Sequence, residues 1–265
     1  MTGQVAVVTG AARGIGAAIA QALAADGWRL VLVDRCEDDP VLGYSLATRD
    51  DLDATVRACG GDDGRVVGLV GDVRDQAALD AAVDRARREF GGLDAAVAAA
   101  GCIAGGEPAW ATGDDQWSTV LGVNLEGAWR LVRAAVPALL ERPAPRQGRV
   151  VAISSTGGSI GLPLLAAYVA AKHGVNGLVR SLAAELGPEG ITVNAVAPGS
   201  TTTAMLTASS AVYNLPDTAE LIRQHLLERP LQPTEVAALV AWVCSPASSG
   251  VTGAVLPVDA GTTSR

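Results

Sequence analysis

Tyr168 and Lys172 stand four residues apart in the stretch AAYVAAKHG, and Ser155 lies thirteen residues before the tyrosine. On a helix that spacing puts both side chains on one face. A phenol with an ordinary pKa of about 10 is a poor base near neutral pH. An ammonium held beside it favours the phenolate and lowers that pKa. The pair therefore reads as a proton-transfer device, and a hydroxyl from Ser155 would hold a carbonyl or alcohol oxygen in line with it. Lys172 is also the sole lysine, since 19 of the 20 basic residues are arginine. A compact ammonium does there what a planar guanidinium does not.

A second group of residues has the chemistry of a nucleotide site. Residues 9–16 read TGAARGIG, directly after an apolar run and at the start of an alanine-rich helical pattern. Gly10, Gly14 and Gly16 permit a tight turn and a close backbone approach. The helix start, with Arg13 and Ile15 beside it, offers N–H groups and a partial positive charge to a pyrophosphate. Asp34 ends the second apolar run, where an acid binds the adenosine ribose hydroxyls and repels a 2′-phosphate. That favours NAD, although Arg13 and Arg35 are each able to meet a 2′-phosphate. Asp72, with Val73, follows the third run, where an acid either faces the ligand crevice or caps the next helix.

The elements that must position these groups alternate. Strands are expected at residues 4–9, 29–34, 65–70, 94–99, 149–154 and 191–197, with a weaker one at 255–258. Helices are expected at 15–25, 76–90, 114–140, 166–186 and 234–244. Strands apolar on both faces and separated by helices imply a parallel sheet covered on both sides. The reading is an α/β, single-domain Rossmann fold over residues 1–265, with helices on both faces. Pro143, Pro145 and Gly148 mark a loop. Two stretches are too long for simple connections: an insertion at 35–48, before a helix starting near 49–51, and a substrate lid at 200–233.

The chain has 265 residues, 49% hydrophobic, with a formal net charge of −8. The acidic balance argues against nucleic-acid binding. No run approaches the length of a membrane helix, and the start MTGQVAVVTG has no basic-then-apolar leader, so a cytoplasmic location is expected. Cys36, Cys59, Cys102 and Cys244 have neither CxxC spacing nor a nearby histidine, and read as free thiols with no metal or disulfide role.

Taken together, TGAARGIG, Asp34, Asp72, Val73, Asn124 in LGVNLEG, Ser155 in ISSTGG, YVAAK, and Pro198 and Gly199 in NAVAPGSTTT resemble the short-chain dehydrogenase/reductase family over nearly the whole chain. The resemblance implies that Tyr168 is the general acid/base. It implies that Lys172 lowers the Tyr168 pKa and holds the nicotinamide ribose, that Ser155 orients substrate, and that Asn124 supports a water relay. It places residues 198–203 over the nicotinamide, with the Thr201 main chain and the Thr203 hydroxyl at the carboxamide. It also implies a homotetramer. The family's NNAG is AAAG here, Ala98 to Gly101. A main-chain contact to the adenosine survives that change, and the asparagine hydrogen bonds do not.

The insertion, with AAVAAAGCIAGG and APGSTTTAM, more narrowly resembles mycofactocin-associated actinobacterial dehydrogenases of the carveol dehydrogenase type. That implies an NAD buried by the insertion so that it does not exchange, with mycofactocin carrying the electrons away. The substrate pocket is expected from residues 102–107, 156–165 and 200–227, including Ile160, Leu162, Leu164, Met205, Leu206 and Tyr213, which suits an apolar alcohol or ketone. Trp110, Trp117, Trp129 and Trp242 are expected in the core or at a subunit interface. His173 reads as a structural helix residue, and His225 carries no signal. The competing readings are a carbonyl or 3-oxoacyl reductase with dissociable NAD(P)H, and a non-catalytic nucleotide sensor, which the complete serine, tyrosine, lysine and asparagine set argues against.

Overall fold

The computed structural model describes residues 3–264. Seven strands form one parallel sheet in the order β3-β2-β1-β4-β5-β6-β7. They are β1 (Val5–Thr9), β2 (Arg29–Asp34), β3 (Val66–Val70), β4 (Ala95–Ala98), β5 (Arg149–Ile153), β6 (Thr192–Pro198) and β7 (Val255–Val258). The helices are α1 (Gly14–Ala25), α2 (Arg49–Ala58), α3 (Gln76–Phe90), α4 (Asp114–Leu121), α5 (Gly127–Leu140), α6 (Ala166–Leu186), α7 (Ala204–Val212), α8 (Ala219–Ile222) and α9 (Pro233–Cys244).

Alternation along the strands sorts the core into two layers. Val5 and Val7 of β1, with Val31 and Val33 of β2, pack against α3, α5 and α6. Ala6, Val8, Leu30 and Leu32 point to the opposite face, where α1, α2 and α9 cover them. Both faces are dry, so the strands read as continuous apolar runs. The chain reverses its direction of travel across the sheet between β1 and β4. In open parallel sheets the crevice beyond the strand ends at such a reversal is where ligands bind.

Local chemistry starts and stops the helices around that crevice. The Thr48 hydroxyl and the Asp51 carboxylate form a reciprocal capping box that starts α2, a helix-start device in which two orphan amides are satisfied at once. Asp75, not Asp72, accepts from the Ala77 amide and caps α3, so the capping alternative for Asp72 is corrected. The helix expected over 114–140 is two helices joined by a π-turn over Gly122–Glu126. Of the tryptophans assigned to core or interface, Trp110, Trp117, Trp129 and Trp242 are all exposed, Trp110 at 90%, so none belongs to the core; Trp28 is the buried one. The four cysteines are free.

Candidate active site

The main chain at the end of β1 leaves no room for side chains. Gly10 has a left-handed φ of +66°, and a Cβ there would lie 2.6 Å from the Ala100 main chain; a Cβ on Gly16 would strike the Gly10 carbonyl. The loop therefore folds tightly enough to bring the start of α1 to the crevice. Arg13 stands at its N-cap and makes no side-chain cap bond, and the first turn contains no acid. The first-turn amides thus lack the side-chain partner that most helix starts have. Asp34 Oδ2 accepts from the Ala12 amide at 2.9 Å, which fixes the carboxylate at the crevice edge.

Charge at that edge is already matched. Arg35 and Arg74 both pair with Asp39 and with Asp72, Arg74 at 3.0 and 2.6 Å. Burial pulls the Asp39 carboxyl upward, but the Val41 amide and the two guanidiniums outweigh it and hold the carboxyl below its usual range. Asp72 is likewise pulled up by burial and held down by Arg74 and Arg35. Arg13 donates to the Ser45 carbonyl at 2.8 Å. Both arginines read as possible phosphate partners are therefore tied to the insertion.

At the other end, Ser155 follows β5, while Tyr168 and Lys172 sit on successive turns of α6, all three buried. Ser155 Oγ accepts from the Gly157 amide at 3.1 Å, leaving its own proton to donate. Lys172 Nζ donates to the Ile153 carbonyl at 2.9 Å and stands 5.6 Å from the centre of the Tyr168 ring. Burial pushes Lys172 down to about 8. Burial also raises Tyr168, with the Ser155 hydroxyl opposing. Desolvation dominates, and Tyr168 keeps its proton at neutral pH. Cys102 lines the same space, but burial pushes its thiol up to about 12, so it remains a thiol and not a nucleophile.

One cavity of about 870 Å³ joins the two ends. Its walls include Gly10, Arg13, Gly14, Ile15, Gly16, Asp34, Arg35, Asp72, Val73 and Gly101. Ser155, Tyr168, Lys172, Pro198, Gly199, Thr201 and Thr203 complete the expected set. Two expected residues lie off the wall. Ala98 packs into the core. Asn124 is buried behind the loop, its carboxamide accepting from the Cys102 amide and donating to the Cys102 and Val120 carbonyls. The Asn124 side chain thus holds the Cys102 main chain and does not reach the cavity.

The apolar part of the cavity differs from expectation in detail. Cys102, Ile103, Leu162, Leu165, Met205, Leu206 and Tyr213 line it, while Ile160, Leu164 and residues 104–107 do not. Leu42 and Tyr44 of the insertion pack against the same cluster as Tyr168. The sequence reading expected the insertion to bury NAD but named neither residue, because its length and resemblance do not show which side chains turn inward. His173 bonds its own helix through Val169. His225, passed over in sequence, is on the wall and 1% exposed. Among the described residues, no helix is long and apolar enough to cross a membrane.

Known proteins are similar to this chain over most of its length. The family model described as enoyl-(acyl carrier protein) reductase matches residues 10–263. An uncharacterized oxidoreductase of Mycobacterium tuberculosis is 42% identical over 98% of this chain and 96% of its own length. The (−)-trans-carveol dehydrogenase of Rhodococcus erythropolis is 36% identical over 98% of both chains. The crystal structure of carveol dehydrogenase from Mycobacterium avium in complex with NAD superposes with a TM-score of 0.93 at 37% identity, covering 100% of this chain and 99% of that one. The chain belongs to the short-chain dehydrogenase/reductase family of oxidoreductases.

Proposed function

We propose that the protein is an NAD-dependent dehydrogenase that interconverts an apolar secondary alcohol and its ketone. The observation that carries this reading is the single cavity running from the uncapped start of α1 and Asp34 to Ser155, Tyr168 and Lys172. The residues fit the cofactor. Amides without a side-chain cap and a loop with no space for a Cβ suit a pyrophosphate. Asp34 suits ribose hydroxyls, and with Arg13 and Arg35 already held, a 2′-phosphate has no free partner there. Val73, Gly101 and residues 198–203 complete the cradle. The similarity to the carveol dehydrogenases of Rhodococcus erythropolis and Mycobacterium avium, the latter in complex with NAD, supports the same assignment.

The proton chemistry follows from the residues present. Tyr168 Oη takes the hydroxyl proton in alcohol oxidation and returns it in ketone reduction. Ser155 Oγ donates to the substrate oxygen and holds it toward the phenol. Lys172, anchored on Ile153, keeps a positive charge beside the phenol, which supports the phenolate as it forms, and would hold the nicotinamide ribose when NAD is bound. Bound NAD supplies the hydride acceptor or donor. Leu162, Leu165, Met205 and Tyr213 give this part of the cavity an apolar wall, which suits an apolar alcohol or ketone, with Glu220 of α8 the acid on the lid side. Asn124 acts through the Cys102 loop that it holds, without touching substrate.

The insertion supports a finer reading, because Leu42, Tyr44 and Leu46 close over the same cavity. On that reading NAD stays bound, and mycofactocin reoxidises it. Exposed Trp117 and Trp129 support subunit contacts, in keeping with a cytoplasmic homotetramer. The test is to purify the protein without added nucleotide, dialyse it, denature it, and identify what is released. Apolar secondary alcohols are then assayed with an artificial electron acceptor. One equivalent of NAD, with turnover that disappears in Tyr168→Phe, is expected. Turnover that requires free NADPH instead, with no retained nucleotide, would establish the dissociable carbonyl reductase. Full activity in Tyr168→Phe would overturn the mechanism.

A further inference from the structure

Both ring nitrogens of His225 are taken by main chain. Nε2 accepts from the Ser200 amide at 3.0 Å, and Nδ1 lies 2.7 Å from the Arg229 carbonyl oxygen. An amide only donates and a carbonyl only accepts, so the partners require a neutral ring protonated on Nδ1. The ring is enclosed: a Cβ added to Gly199 would come within 3.1 Å of Nε2. The Asp259 main chain lies against the same glycine, and its carboxylate accepts from Gly261 and Thr263.

Three segments meet at this side chain. The stretch after β6 carries Ser200, whose carbonyl accepts from Leu231, while the Thr202 amide donates to the Leu231 carbonyl. The turn after α8 carries His225 itself and Arg229. The segment after β7 carries Ala260, whose carbonyl accepts from Leu226. Thr201 and Thr203 follow Ser200 directly and line the cavity. The direction in which they face it depends on where the Ser200 amide points.

We propose that His225 is a positioning residue for the nicotinamide half of the cofactor, acting through the Ser200 amide on Thr201 and Thr203. The inference rests on the NAD assignment above. Two amide substitutions separate its two bonds. His225→Gln puts a carbonyl near the position of Nε2 and keeps an acceptor for Ser200. His225→Asn puts an amide near Nδ1, keeps the donor to Arg229, and leaves the partly buried Ser200 amide without its side-chain partner. If the ring only packs, either variant weakens the whole site. If it positions, the loss follows the Ser200 bond and falls on one half of the ligand.

The experiment is calorimetric titration of wild type and both variants, each stripped of retained nucleotide by reversible unfolding and checked by absorbance, with NAD and with ADP-ribose, which has everything but the nicotinamide. His225→Asn is expected to bind NAD about tenfold more weakly and ADP-ribose within about twofold of wild type. His225→Gln is expected to bind both within about threefold. Equal weakening of the two ligands in His225→Asn, or undiminished NAD binding, would overturn the proposal. Should His225→Asn fail to fold, His225→Gln decides: retained NAD affinity sustains the proposal, and a loss of about tenfold or more overturns it. A wild-type protein that binds neither ligand overturns the NAD assignment itself, and the proposal with it.

Discussion

The Tyr44 hydroxyl accepts a hydrogen bond from the Ile103 amide at 3.1 Å, although 59 residues separate the two. Arg13 grips the next residue, Ser45, from the opposite wall. The insertion is thus fastened on both sides of the crevice, and burial pushes the Tyr44 phenol up to about 12, so the fastening stays neutral across the working pH range. Tyr44→Phe keeps the ring and removes the acceptor. A buried hydrogen bond contributes about 1 kcal/mol, so bound nucleotide should leave about fivefold faster in dialysis or chase experiments, with the thermal midpoint little changed. An unchanged release rate would show that Tyr44 does not fasten the strap.

Tyr168 holds its proton firmly because burial raises its pKa, with Ser155 only partly opposing. Alcohol oxidation needs this group as a base and ketone reduction needs it as an acid. The rate constant for oxidation should therefore climb from neutral toward alkaline pH, while that for reduction falls over the same range. Tyr168→Phe should lower both by about a hundred- to ten-thousandfold and flatten the profiles, with nucleotide content unchanged. Ser155→Ala should move the alkaline limb upward, because it removes the group that opposes burial. A limb that moved downward would contradict this account.

Lys172 gives up its proton near pH 8 in the folded protein, against 10.5 ordinarily. Between those values the unfolded chain binds the proton and the folded chain does not, so stability rises with pH across that window. Below about pH 8 both states hold it, and the full cost of a buried ammonium remains. Lys172→Met should thus abolish turnover while raising stability at pH 7 by about 1–3 kcal/mol, read as a higher urea midpoint. The difference should shrink toward pH 10. A Lys172→Met protein less stable than wild type at pH 7 would mean that the Ile153 bond outweighs desolvation.

Cofactor preference is set by a clamp as well as by Asp34. Arg35 stands beside Asp34 in sequence, yet Asp39 and Asp72 hold it. Asp34→Ala alone should improve NADP binding only modestly. Adding Asp39→Asn weakens the hold on Arg35, and the pair should gain more than the sum of the single changes in titrations with NADP. Strict additivity would show that Arg35 never becomes free to meet a phosphate.

Periodicity and loop chemistry made the sheet legible to within about a residue, because buried parallel strands must be apolar and helices between them must be amphipathic. The site was legible where side chains do chemistry at short sequence spacing, as Tyr168 and Lys172 do, or lie in a glycine loop. It was not legible where the constraint is long-range. Nothing near His225 in sequence points to Ser200, and nothing in residues 35–48 shows that Leu42 and Tyr44 would reach the pocket around Tyr168. The π-turn escaped notice because the apolar pattern runs through it unbroken. Of the two places expected for Trp110, Trp117, Trp129 and Trp242, their exposure rules out the core, to which large apolar side chains are assigned by default.

The π-turn at Gly122–Glu126 has a further consequence for how this chain tolerates change in length. A wide turn contains one residue more than the α-helix it interrupts. Deleting one residue of that stretch would let α4 and α5 fuse into a regular helix with the faces of both kept in phase, because the wide turn is what absorbs the extra residue. Asn124 would swing off the Cys102 main chain, and the wall beside Lys172 would lose its brace. The helices on either side would keep their places, so the wide turn is a local device that sets one carboxamide where a regular helix would not.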